Sequence, residues 1–180
     1  YPTKIMGVIN ANDDSFFEGS RFVAKDAIWQ IKKMLNEGAQ LIDIGAVSSR
    51  PGDDVVSAEE ELARIKPIGD IVVSEKLYEE ETSSIDSYRP LVVEYALRSG
   101  FTLINDITGA SDESLIKLAV KYEAKLCIMH MQGSPQTMQK DPRYDDVMVE
   151  VSDFFEERID TCEKLGLTRE NIILDVGIGF

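Results

Sequence analysis

The stretch Leu103-Ile104-Asn105-Asp106 places two apolar side chains directly before two polar ones, and similar stretches recur along the chain. Short apolar runs with few polar residues are typical of strands covered on both faces, as in a parallel sheet. Helical patterns separate the runs, so strands and helices are expected to alternate. The sequence predicts strands at residues 4–10, 41–45, 83–86, 103–106, 126–130 and 172–175.

The third strand has two candidate positions, 71–74 and 83–86, with an acidic stretch between them. We favour 83–86 because a helix starts immediately after it. Residues 71–74 would then end the preceding helix or its loop.

Capping residues and helical periodicity mark the helices. Ser57 followed by Glu60 is typical of a capping box, and Pro90 suits a first helical position. Apolar side chains recur at helical spacing at residues 27–35 and again from Val147 to Cys162. These signals predict helices between the strands.

Polar side chains stand at or just past the C-terminal ends of the predicted strands. A TIM-type (β/α)8 barrel gathers these ends into one mouth, whereas a doubly wound sheet spreads them along an edge. No strand is followed by a complete dinucleotide-binding glycine fingerprint. We therefore predict a single α/β barrel domain over residues 1–180, truncated before the last two strand-helix units. The polar residues are Asn10, Asp86, Asn105, Asp106, His130 and Asp175.

Composition and charge narrow the function. The chain has 180 residues, of which 43% are hydrophobic and 29% charged, as in an ordinary soluble domain. No apolar run is long enough to span a membrane and no signal peptide is apparent, so a cytoplasmic location is the default expectation. The formal charge of −14 disfavours nucleic acid and anionic membranes as partners. Anionic small molecules would need a local cation or metal ion.

Few residues can carry metal or acid-base chemistry. The one histidine, His130, excludes a histidine-rich zinc site, and at a strand end it is as often structural as catalytic. Cys127 and Cys162 are expected to be small buried apolar residues. Asn10 precedes a run of short polar residues that favours a turn, but its amide oxygen also suits Mg²⁺, which takes few protein oxygens.

Two further groups suit a phosphate and a polar ring. Ser48-Ser49-Arg50-Pro51-Gly52 follows the second strand and can hold a phosphate, although a solvated polar loop is an equal alternative. Asp86, Asn105 and Asp175 can together match the donors and acceptors of a fused amino-pyrimidinone ring. Each alone would be expected to cap a helix or turn, but the convergence of three in one mouth favours a binding site.

Taken together, these segments resemble dihydropteroate synthase over the whole chain, and the resemblance implies the same barrel. The matching segments, in chain order, are residues 6–10 with 14–16, 42–45 with 48–52, 84–88, 104–107, 129–131 with 137–139, and 173–180.

The resemblance implies a transferase of folate biosynthesis. Such an enzyme joins 6-hydroxymethyl-7,8-dihydropterin pyrophosphate to p-aminobenzoate and releases pyrophosphate. The resemblance also implies that Asp86, Asn105 and Asp175 bind the pterin and that Ile107 and Met129 pack on its ring. Asn10 would bind a Mg²⁺ ion on the pyrophosphate, and Ser49 and Arg50 would bind the pyrophosphate oxygens. Pro51 and Phe180 would border the p-aminobenzoate pocket, where sulfonamides compete, and a homodimer is a further expectation.

The sequence departs from the family pattern at four positions. Asp13 and Val176 replace prolines, Val47 replaces a glutamate and Ser49 a threonine. Residues that the family carries beyond its sixth strand are absent from the chain, so poor activity of this fragment is expected. Two alternatives remain open: a methyltetrahydrofolate-binding methyltransferase domain, which lacks the Ser-Arg-Pro-Gly loop, and a non-catalytic pterin-binding module.

Overall fold

The computed structural model describes residues 3–10, 20–47, 56–75, 82–135, 137–139 and 141–179. Strands and helices alternate along these residues, and a short 3-10 turn, Arg169–Asn171, leads into the last strand. The strands are β1 (Met6–Asn10), β2 (Leu41–Gly45), β3 (Thr82–Asp86), β4 (Leu103–Asp106), β5 (Lys125–Met129) and β6 (Ile172–Asp175). The helices are α1 (Ser20–Asn36), α2 (Ala58–Ser74), α3 (Pro90–Arg98), α4 (Glu113–Lys121) and α5 (Val147–Lys164).

The strands form one parallel sheet whose spatial order, β1 to β6, follows the chain. A doubly wound sheet reverses its strand order at a switch point, whereas a barrel adds each strand beside the previous one. Within the described residues, β1 and β6 each pair with a strand on one side only. The predicted TIM-type architecture is therefore confirmed as a partial barrel.

The outer face of the sheet forms the main hydrophobic core. Ile42, Ile44, Ile85 and Ile104 are at most 2% exposed and pack against apolar residues of the helices. Successive side chains of a strand point to opposite faces, so every second residue is left for the barrel interior. Burial of one such isoleucine contributes about 1.5–3 kcal/mol, which fixes the register of each strand.

The local signals in the sequence locate most element boundaries. β3 occupies the favoured position, and Ile71 to Ser74 complete α2, as predicted. The Ser57 side chain caps α2 by accepting a hydrogen bond from the Glu60 backbone amide at 3.1 Å. Pro90 is the first residue of α3.

The last helix begins at Val147, as predicted, but its apolar face leaves the core at this first residue. Val147 is 51% exposed, whereas Phe155 and Cys162 further along α5 are buried. The first turn of α5 follows the cap residue Asp146 and lies beyond the core.

Among the described helices, none combines the length and apolarity that crossing a membrane requires.

Candidate functional site

Strand register brings the predicted polar residues to one end of the sheet. Asn10 pairs with Gly45, Gly45 with Asp86, and Asp86 with Asn105, so these positions form one row across β1 to β4. Asn105 continues the row to Cys127 on β5. This row faces the barrel interior, because its alternate neighbours on the same strands are the outward isoleucines of the core.

One residue pair extends the same face towards the mouth. Met129 lies two residues after Cys127 and pairs with Asp175 on β6. Burial of the thiol is the main cause of the raised pKa of Cys127, and the negative charge of Asp175 is the next. The structure thus brings Asp86, Asn105, Met129 and Asp175 to one interior surface, with Asn10 exposed at the end of β1.

Asp86 is the most perturbed carboxyl group of this surface. Burial, followed by the charges of Asp43, Glu61 and Asp106, raises its pKa from 3.8 to about 7. The neighbouring strand makes room for the side chain through a glycine, because a Cβ built on Gly45 would lie 3.1 Å from Asp86 Oδ2. Asp86 is therefore closely packed and half-buried, and its surroundings favour the protonated carboxyl.

Asp43 is a site residue that was not predicted from the sequence. It lies on the interior face of β2, is 4% exposed, and its Oδ2 accepts a hydrogen bond from Asn105 Nδ2 at 3.0 Å. The bond directs the Asn105 amide nitrogen towards Asp43 and leaves the Asn105 oxygen for another partner. Asp43 thereby fixes which atom Asn105 can offer to a ligand.

The Asp43 carboxyl is itself only partly satisfied. Burial raises its pKa more than Ser84 and Asn105 lower it. The Ser84 hydroxyl lies close enough to Asp43 to affect this pKa. The two groups are not in hydrogen-bond geometry, because Ser84 Oγ and Asp43 Oδ1 are both buried without a partner among the described residues. Buried polar groups without a partner are unfavourable, and these two groups are available to a polar ligand.

Ile107 and Met129 form an apolar surface at the mouth. They are 7% and 2% exposed and pack with Met138 in a small cluster separate from the main core. Tyr88 and Met131 are packed against the same cluster. The two residues predicted to contact a ring thus lie together, next to the polar surface.

The backbone after β6 orients Asp175. Its Oδ1 accepts a hydrogen bond from the Gly177 amide at 2.9 Å, while its carbonyl accepts from the His130 amide at 2.8 Å. Gly177 has φ +68°, and a Cβ there would collide with the His130 carbonyl. A glycine is therefore required for the turn that holds Asp175, which is exposed at the mouth.

Two polar residues at predicted strand ends have structural surroundings. Asp106 is fully buried, and its carboxylate accepts hydrogen bonds from the Thr108 amide and hydroxyl and from the Ala110 amide at 2.6–2.8 Å. It shapes the connection after β4 and does not belong to the interior row. His130 is 7% exposed and stacks edge-on against Phe154 at 5.0 Å, and burial lowers its pKa.

A buried ion pair supports the loop after Asp86. Glu61 of α2 is 3% exposed and lies 3.2 Å from Arg89 Nε, and the Arg89 amide donates to Ser87 Oγ at 3.2 Å. Burial raises the pKa of Glu61 despite the favourable effects of Ser87 and Arg89. The pair connects α2 to the segment that follows β3, so it stabilises the position of Asp86.

Several predicted residues lie outside the described residues. Within the described ranges, no cluster of three or more His, Cys, Asp or Glu side chains is arranged to hold a metal ion. Asn10 alone offers an exposed amide oxygen at the end of β1. The predicted site residues outside the described ranges are Ser49, Arg50, Pro51 and Phe180. Asp13, one of the departures from the family pattern, also lies outside them.

Comparison with known proteins places this geometry among related enzymes. Residues 6–180 match the family model described as pterin binding enzyme. The chain is 41% identical over 178 residues to dihydropteroate synthase of Haemophilus influenzae, covering 98% of this chain and 64% of that protein. It is 39% identical over 177 residues to the Escherichia coli enzyme, covering 98% of this chain and 62% of the relative.

Solved structures agree with this result. Dihydropteroate synthase of Yersinia pestis, solved with a sulfonamide drug complex, superposes with a TM-score of 0.87 at 35% identity, covering 98% of this chain and 64% of that one. The Burkholderia cenocepacia enzyme, complexed with 7,8-dihydropteroate, superposes with a TM-score of 0.84 at 37% identity. The match covers 99% of this chain and 60% of that one. This chain therefore spans somewhat less than two thirds of the relatives it matches, and it belongs to the family of pterin binding enzymes.

Proposed function

We propose that the protein is a dihydropteroate synthase and that this chain forms its pterin-binding surface. The reaction would join 6-hydroxymethyl-7,8-dihydropterin pyrophosphate to p-aminobenzoate, with release of pyrophosphate. The observation that carries the proposal is the register that aligns Asp86 with Asn105 on the face that also carries Asp175. Family membership and relatives crystallised with a sulfonamide or with 7,8-dihydropteroate support it.

The interior surface has the chemistry that a pterin requires. Carboxylates at Asp86 and Asp175 can accept from the ring N–H groups, and Asn105 can accept through the oxygen that its bond to Asp43 leaves free. Ile107 and Met129 offer an apolar surface for the ring. Ring recognition therefore combines directed hydrogen bonds with apolar contact, as is usual for small-molecule sites.

The departing pyrophosphate needs local positive charge, because the chain as a whole has a formal charge of −14. We propose that Ser49 and Arg50 bind its oxygens and that Asn10 contributes one oxygen to a Mg²⁺ ion, with phosphate oxygens and water as further ligands. The single exposed amide at the end of β1 fits such a site, because Mg²⁺ commonly takes few protein ligands. When bound, the ion would neutralise charge on the leaving group.

The other residues act on the pterin and the amine. The pterin ring can delocalise positive charge that develops on its exocyclic carbon as pyrophosphate leaves, and an ionised Asp86 would stabilise that charge. The aniline nitrogen of p-aminobenzoate attacks as a neutral nucleophile, so a strong general base is not required. Pro51 and Phe180 are proposed to border its pocket.

The function is tested on the full-length protein with the pterin pyrophosphate, p-aminobenzoate and Mg²⁺. We expect pyrophosphate and 7,8-dihydropteroate to form in equal amounts, and omission of p-aminobenzoate to stop dihydropteroate formation. A pterin pyrophosphate that binds but is never converted would contradict the synthase assignment and favour a binding module. Methyl transfer from methyltetrahydrofolate would instead identify a methyltransferase.

Asp43 provides a specific prediction within this proposal. Asp43→Ala removes the acceptor of Asn105 Nδ2, so the amide can rotate and we expect about tenfold weaker pterin binding by calorimetry. Asp43→Asn is the matched control, because its oxygen can still accept from Asn105 and its affinity should stay within about threefold of the wild type. Measurements at about pH 8.5 keep Asp86 ionised in all three proteins. Wild-type affinity in Asp43→Ala would show that Asn105 is oriented by other contacts.

A further inference from the structure

A second cavity lies outside the interior surface of the barrel. It has a volume of about 260 Å³ and is bounded by the connection after β4, the segment after β5 and α5. Its lining includes Thr108, Ser111, Met131, Ser134, Phe154 and Arg158. None of these residues has a role in the proposed synthase reaction.

Among the described residues of the lining, Arg158 alone is charged, although the chain carries 33 aspartates and glutamates. Other helices pair their cations with a carboxylate one turn away, as in Arg64–Glu60 and Lys117–Glu113. The positions four residues before and after Arg158 are Phe154 and Cys162, so α5 supplies no such partner. One cation and no carboxylate among the described lining residues favour an anion as the ligand.

The Arg158 guanidinium has no acceptor among the described residues. Its Nε is buried without a hydrogen-bond partner, and its central carbon lies 5.3 Å from the centre of the Phe154 ring. This cation–π contact with the ring uses none of the N–H groups of the guanidinium. Such a donor group is pre-positioned for a planar acceptor, and a carboxylate can take two of its N–H bonds at once.

The rest of the lining indicates what the anion is attached to. The Thr108 hydroxyl already donates to Asp106 at 2.6 Å, and the Ser134 hydroxyl bonds with Thr137 at 3.0 Å. Within the described residues, the Ser111 hydroxyl has no partner and is free to donate. Met131 and Phe154 provide apolar contact, and the volume is larger than a bare oxyanion needs.

We propose that this cavity binds a small organic carboxylate, with the carboxylate on Arg158 and Ser111 and a compact apolar body against Met131 and Phe154. This inference does not depend on the proposed synthase function, because Arg158 and Ser111 have no part in the pterin surface, and only Met131 touches the Ile107 and Met129 cluster. Benzoate is a suitable probe, and benzamide is its neutral analogue of the same shape.

The test is a titration of ¹⁵N-labelled protein by NMR, in which the Arg158 Nε–H signal is assigned by its loss in Arg158→Lys. We expect benzoate to shift this signal and benzamide to bind at least tenfold more weakly. Inorganic phosphate should also bind at least tenfold more weakly than benzoate, because it lacks an apolar body. Arg158→Gln should lower benzoate affinity at least tenfold, with an unchanged thermal unfolding midpoint as the folding control.

Three outcomes would overturn the proposal. Benzoate-induced shifts confined to other residues would place its binding elsewhere, for example in the p-aminobenzoate pocket of the proposed function. Equal affinities for benzoate and benzamide would remove the role of the charge. Equal affinities for benzoate and phosphate would leave a bare oxyanion site. Synthase activity is assayed separately, so failure of either proposal is recognised without the other.

Discussion

Asp175→Asn is expected to weaken pterin binding about 100-fold while leaving the fold intact. The Asp175 Oδ1 accepts from the Gly177 amide at 2.9 Å, and the asparagine oxygen would keep this bond. The asparagine NH₂ group would then face the ligand where the wild type offers a carboxylate oxygen. Two donors would meet there, so a charge-assisted hydrogen bond is lost and an N–H group is left unpaired, a cost of about 3 kcal/mol.

Calorimetric titration with the dihydropterin measures this effect directly. Asp153→Asn is the matched control, because it makes the same chemical change on an exposed position of α5 and should bind as the wild type does. Equal thermal unfolding midpoints would show that both variants fold. An Asp175→Asn affinity within threefold of the wild type would remove Asp175 from the pterin surface.

Much of the fold could be predicted because strand ends and helix starts have local causes. The change from apolar to polar residues at Leu103 to Asp106 coincides with β4, since burial between two layers admits few polar side chains. Ser57 and Pro90 mark helix starts through their own hydrogen bond and backbone geometry. Val147 begins α5, as the periodicity predicts, but it is 51% exposed, because periodicity shows which side of a helix is apolar and not where the core ends.

The site was harder to predict because it depends on which face of a strand a residue occupies. Asn105 and Asp106 are adjacent in sequence, but only Asn105 lies in the interior row, while Asp106 caps the following connection. Asp43 lies inside an apolar strand and not at its end, so a search for strand-end residues passes over it. The available signal was its spacing of two from Gly45, which places both on the interior face.

Function and stability oppose each other at Asp86 and the buried carboxyl groups around it. Asp43, Glu61, Asp86 and Asp106 all have pKa values raised by burial, so each carries a proton more readily in the folded chain than in water. Close carboxyl groups of like charge destabilise an empty site. A ligand rich in N–H donors would relieve this repulsion, which fits the proposed recognition of a pterin.

We expect the folded protein to lose stability as the pH rises from about 4 to about 7. The pKa of Asp86 is raised from 3.8 to about 7, so over this range the folded chain holds a proton that the unfolded chain has released. The stabilising contribution is complete below the unfolded pKa and is lost as the pH passes through the folded value. A shift of one pKa unit corresponds to 1.36 kcal/mol, so the loss in the free energy of unfolding due to Asp86 alone is at most roughly 4 kcal/mol.

Asp86→Asn isolates this contribution, because the amide resembles the protonated carboxyl in shape and in offering both a donor and an acceptor. Urea unfolding of the variant and the wild type should give similar free energies near pH 4, whereas near pH 8 the variant should be more stable by about 2–4 kcal/mol. The same variant should bind the dihydropterin at least tenfold more weakly, since it cannot present an ionised acceptor. Asp153→Asn should follow the wild-type pH dependence. Parallel pH curves for Asp86→Asn and the wild type would mean that Asp86 is ionised throughout this range, and the tight packing against Gly45 would then not exclude water from it.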